Sequence, residues 1–176
     1  MLDLRKLVSE AAKDFGLPLW LVWGVVQKES SGNPWAWNPE PHYRYLWDVR
    51  ENRPFRVLAP SEIASKVPPR DFACLAGDRD QEFWAQQASW GLMQVMGAVA
   101  RERGYRGPYL TELLNPEASI HYGCAHLAHL AKRFLAAHDW PGVIAAYNAG
   151  SPRKFATGRY ENQAYVDRVI ALGRVA

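Results

Sequence analysis

The chain has no apolar run long enough to cross a bilayer. Its longest, LPLWLVWGVV at 17–26, falls well short of the roughly 20 residues that a spanning helix needs, so stable membrane insertion is not expected. The opening stretch MLDLRKLVSEAAKDFG carries acids within an amphipathic pattern and lacks a continuous apolar segment, so no secretory signal is expected either. Cysteine is scarce: Cys74 and Cys124 make no disulfide framework and have no CxxC spacing, and two free thiols are the expectation. Repeats and low-complexity tracts are absent. No dense Lys/Arg run interleaves with aromatics, which argues against nucleic acid as a partner.

What is present is an ordinary globular composition with one excess. A length of 176 residues suits a single domain, expected over 1–176, and 48% hydrophobic with 22% charged residues describes a folded chain. The excess is aromatic: eight Trp and eight Tyr, residues that suit flat sugar faces and also fill cores. The net charge of +3 would help approach to an anionic polymer such as a cell wall. A monomer is the default expectation.

Apolar spacing predicts a helix over 3–15 with Asp3 as N-cap, stopped by Gly16. Pro18 then opens a second helix, apolar nearly all round until Gln27, Lys28 and Glu29 and ended by Ser31, Gly32, Asn33 and Pro34; such a helix lies within a core. From 34 to about 88 prolines break the pattern. Residues 42–49 and 54–58 read as short strands or extended segments, 61–67 as a short helix capped by Ser61, and 80–88 as another. Residues 39–88 are therefore expected to be an irregular, partly extended insertion packed on the domain. Helices return at about 92–103, 109–114, 116–137, 140–147 and 161–173. The class is mainly α.

Glu29 is the candidate for acid/base chemistry. Apolar packing and the negative end of its helix both favour the protonated carboxyl, as a general acid requires. A solvated helix-end Glu has the same local sequence. Downstream strings then add to the case. QKESSGNPWA at 27–36, SWGLMQVM at 89–96 and AAYNAG at 145–150 occur in the order found in soluble lytic transglycosylases, whose lysozyme-like domain the chain resembles over roughly 1–38 and 89–173. Goose-type lysozymes are more distantly similar.

The resemblance implies a peptidoglycan-cleaving enzyme with a lysozyme-like helical fold and named roles. Glu29 would be the catalytic acid/base. Met93 and Gln94 would line sugar sites, and Ser89, Gly91 and Leu92 would shape the wall, the glycine admitting the glycan close to backbone. Tyr147 and Asn148 would hold Glu29 or substrate. Glu161 matches a position contacting the stem peptide and Tyr165 one facing the cleft. Gly97 replaces a proline common after the GLMQ string, with only local rigidity expected to change. The insertion resembles longer versions encoded by phages and prophages. An endolysin made in the cytoplasm, or a particle-borne enzyme acting on the wall, fits the missing leader.

The expected partner is the glycan strand of peptidoglycan, with no cofactor and no metal. His121, Cys124, His126 and His129 do not converge from one helix. A one-carboxylate mechanism would end in a 1,6-anhydro sugar. If Glu40, Asp48 or Glu51 faces Glu29 across a water, an inverting hydrolase results instead. A catalytically idle wall-binding or virion module is the alternative of a different class. Trp35, Trp37 and Trp47 read equally as a sugar platform or as packing within the insertion, and Trp90 has a claim on the cleft because it abuts Gly91.

Overall fold

A computed structural model describes residues 3–175; Met1, Leu2 and Ala176, the ends of the expected 1–176 domain, lie outside them. The chain divides into two compact units, one running through Asn33 and resuming at Gly123, the other Pro34–Tyr122.

The first unit is helical. Helix α1 (Leu4–Asp14) starts where the Asp3 carboxylate accepts from the Lys6 N–H at 3.1 Å, and it buries Val8 and Ala12. Helix α2 (Leu19–Ser30) buries Leu21, Val22, Gly24, Val25 and Val26 and ends at Ser31, whose left-handed backbone closes the last turn onto Gln27. It packs on α1 and, more extensively, on α7 (Gln163–Gly173). Close approach of α2 and α7 depends on glycine. A Cβ on Gly24 would run into the Val169 carbonyl, and one on Gly173 into the carbonyl of Trp20. Helix α6 (Pro116–Ala149) begins in the second unit and continues in the first, broken at Asp139 (φ 54°) just before Pro141. The two separate helices expected over 116–137 and 140–147 are its two arms.

The second unit is where the structure departs from the sequence expectations. Strands β1 (Trp37–Pro39), β4 (Ala88–Trp90) and β5 (Val95–Met96) form an antiparallel sheet in the order β1-β4-β5, and β2 (Trp47–Asp48) pairs with β3 (Arg53–Pro54). The helix expected over 92–103 is confined to α5 (Gly97–Glu102), because residues 88–96 fold as a tight hairpin. Gly91 and Gln94 supply its positive φ angles, 69° and 46°. Helix α3 (Pro60–Ser65) is capped by Ala59, whose N–H donates to the Glu62 carboxylate at 2.8 Å, and not by Ser61. Helix α4 (Arg79–Gln86) starts at Asp78, which accepts from the Gln81 N–H at 2.6 Å. A 3-10 turn covers Leu110–Leu114.

The insertion is built into the core of its unit. Leu46, Leu58, Phe72 and Phe83 form one cluster, and Trp47, Val49 and Ala73 another. Glu82 of α4 and Arg101 of α5 form a buried bidentate pair (2.7 and 2.9 Å). Gln86 donates to Glu82, and the Arg101 guanidinium also reaches the carbonyls of Tyr105 and Gly107. A buried pair is tolerable only when its remaining hydrogen-bonding capacity is used in this way. Gly97 has a packing reason as well: a Cβ there would strike the Ala85 carbonyl of α4. The expectation that only local rigidity changes at this position is therefore corrected. Among the described residues, no helix is long and apolar enough to cross a membrane.

Candidate active site

Glu29 lies in the last turn of α2, half-buried. Burial is the largest influence on its carboxyl and pushes its pKa up; the Tyr165 hydroxyl and the Lys28 ammonium pull the other way with smaller effect. The Tyr165 hydroxyl, presented by α7, donates a short hydrogen bond to Glu29 Oε1. Burial and the adjacent carboxylate hold the Tyr165 phenol far above its ordinary value, so it stays a donor at any working pH. Lys28 lies over the Tyr165 ring, its Nζ 5.1 Å from the centroid. Tyr147, in the last turns of α6, is also raised, first by burial and then by the Glu29 charge. One carboxyl thus stands among two protonated phenols and a nearby cation.

The remaining expected residues of this unit fall around that centre or away from it. Asn148 accepts from Asn162 Nδ2 at 2.9 Å, and the same amide donates to the Ala145 carbonyl at 3.0 Å, tying the end of α6 to the start of α7. Glu161 is exposed and paired with Arg153 at 3.1 Å. Lys28 and Asn162 are the residues that sequence reasoning missed. Asn162 stands beside Glu161 in the sequence, and its use becomes visible only with the cross-link to Asn148.

In the second unit, Ser89, Gly91 and Gln94 come together in the β4–β5 hairpin. Ser89 Oγ donates to Gln94 Oε1 at 2.9 Å, and Gln94 Nε2 donates to the carbonyls of Ala36 and Gly91, both at 2.9 Å. The Gln94 amide therefore braces the loop in its left-handed conformation. Two expectations need correcting. The space beside Gly91 is taken by the Leu113 carbonyl and the Ser119 side chain, so the glycine serves the chain's own packing and not the approach of a glycan. Leu92 and Met93 have no exposed surface, and the Met93 N–H is directed to Ser119 Oγ at 3.3 Å. Of the carboxylates considered as second acids, Asp48 caps its own turn through the N–H groups of Arg50 and Glu51, and Glu40 receives the Asn38 amide at 2.5 Å. Both cysteines are free thiols.

Residues 6–167 match the family described as the transglycosylase SLT domain. The chain belongs to that family. An SLT domain is lysozyme-like, and the mainly α composition with a few short strands agrees with it. The match runs through the 39–88 insertion as well as the flanking helices, so it takes in residues of both compact units of this SLT domain. Neither the curated proteins nor the solved structures gave a match.

Proposed function

We propose that this SLT domain cleaves the β-1,4 bond between N-acetylmuramic acid and N-acetylglucosamine in peptidoglycan, leaving a 1,6-anhydro-muramyl end, with Glu29 as its only acid/base. Family membership supports the coarser part of this reading, peptidoglycan cleavage of the lytic transglycosylase type. The observation that carries the finer part is the setting of Glu29, a carboxyl that burial pushes toward its protonated form while the Tyr165 hydroxyl holds one of its oxygens.

The chemistry derives from that setting. With Tyr165 bonded to Oε1, the other oxygen of Glu29 carries the proton and gives it to the glycosidic oxygen as the bond to muramyl C1 breaks. The muramyl N-acetyl group stabilises the cation at C1. The sugar's C6 hydroxyl then bonds to C1 and returns its proton to Glu29, so no water is consumed and no second carboxylate is needed to activate one. The whole chain serves this one reaction as a single catalytic domain, with Tyr147 and Asn148 contacting substrate in the unit that holds Glu29.

Mass spectrometry of muropeptides released from purified sacculi tests the reading. Anhydro-muramyl ends, one water lighter than hydrolysis products and absent with Glu29→Gln, are expected. Reducing ends would replace the mechanism with hydrolysis, and products unaffected by Glu29→Gln would remove Glu29 from it. The resemblance of the 39–88 insertion to phage-encoded versions extends the reading to a phage-type endolysin. The purified protein should then clear a suspension of cells whose outer membrane has been opened, and persistent turbidity would overturn that role.

A further inference from the structure

The β1–β4 ladder has two faces with different uses. Strand alternation puts Asn38 and Ser89 on one face, where Ser89 serves the Gln94 hairpin. On the other face Trp37 and Trp90 are cross-strand partners and stack, with centroids 6.0 Å apart and 19° between planes. Trp90 belongs to the core, and its indole N–H donates to the Ala85 carbonyl at 2.9 Å. Trp37 does not: it is 58% exposed, and Trp84 of α4 across from it is 40% exposed. Together with Pro39 and Pro41 these rings line a groove of about 500 Å³, within the size range of small-ligand sites.

We propose that this groove is a saccharide-binding subsite for an N-acetylhexosamine unit of a glycan, on the face of the β1–β4 ladder opposite Ser89. Its ligand class rests on the glycan-cleaving reading, but its chemistry points there independently. The indoles offer flat apolar surfaces to the C–H face of a pyranose. Around them the polar groups are mainly acceptors, the carboxylates of Glu40, Asp78 and Asp80 foremost, and no Lys, Arg or His lines the groove. Hydroxyl and acetamido N–H groups are the donors such a rim accepts from. A phosphate polyanion whose bases stacked on the same rings would meet like charge. A polyproline segment, the other ligand of Trp- and Pro-lined grooves, presents only carbonyl acceptors and has nothing to donate to this rim.

The test uses the full chain carrying Glu29→Gln, labelled with fluorotryptophan, and tetra-N-acetylchitotetraose as the probe. Fluorine signals assigned to Trp37 and Trp84 should move on titration. Trp84→Ala should weaken the affinity read from Trp37 about tenfold, with Trp84→Phe restoring most of it. In a chain with Glu29 intact, Trp84→Ala should reduce retention on sacculi. Unmoved Trp37 and Trp84 signals, equal affinity in Trp84→Ala, or a polyproline peptide moving those signals where the saccharide does not would each overturn the subsite. The readout needs no cleavage. Responding tryptophans in a protein that releases no muropeptides would sink the enzyme reading alone; muropeptide release with silent tryptophans would sink the subsite alone.

Discussion

At Glu29 one physical setting has two measurable consequences. Burial holds its pKa above the ordinary 4.5, so folding favours the protonated carboxyl. That contribution is complete below the unfolded pKa and is lost as the pH rises through the folded one. Glu29→Gln, a neutral group of the same shape, should therefore stabilise the protein at neutral pH, with the advantage gone as the pH falls below the ordinary carboxylate range. Thermal melts at neutral and at acid pH check it; a variant less stable at neutral pH would contradict the burial argument. The second consequence runs through Tyr165, whose hydrogen bond lowers the Glu29 pKa. Tyr165→Phe should move the alkaline limb of the pH–rate profile to higher pH, because Glu29 must be protonated to act. It should also slow turnover by about tenfold to a hundredfold as the carboxyl loses its anchor. A limb that moves down or stays in place would remove Tyr165 from the role.

At the level of elements, the α2–α7 contact decides whether that pair can form, since α2 carries Glu29 and α7 carries Tyr165. Gly24→Ala should force the two helices apart at Val169, costing about 1–3 kcal/mol and lowering activity beyond the loss of stability. A melting temperature and turnover both equal to the parent's would show that the helices can shift without consequence. The elements legible in the sequence are those with a strong local signal. Asp3 before an amphipathic run and Pro18 before an apolar one each fix a boundary in helices whose packing agrees with their local preference. The hairpin at 88–96 reads as helix in the sequence because LMQVM has no turn residue beyond Gly91. Its other positive φ falls on Gln94, held by a side chain reaching back to Ala36, and no window of sequence contains that contact. Glu29 is legible from its helix, whereas its hydrogen-bond partner lies 136 residues away and only the α2–α7 packing brings it there.

Over the whole molecule the charge is unevenly placed. The unit that contains Glu29 holds eleven Lys and Arg against seven Asp and Glu, while Pro34–Tyr122 holds ten against eleven. The net +3 of the chain therefore resides on the unit of the acid/base group, which suits approach of an anionic wall polymer to that unit, and the near-neutral unit carries the acid-rimmed aromatic groove. These two parts should answer differently to salt. The Debye length falls from about 10 Å at 0.1 M to about 3 Å at 1 M, so steering by dispersed surface charge is lost across that range while short contacts persist. Cleavage of intact sacculi should slow several-fold between those salt concentrations, and binding of uncharged tetra-N-acetylchitotetraose should stay level. A sacculus rate indifferent to salt would mean that the charge asymmetry has no part in substrate capture, leaving the aromatic groove and the site around Glu29 to hold the strand by contact alone.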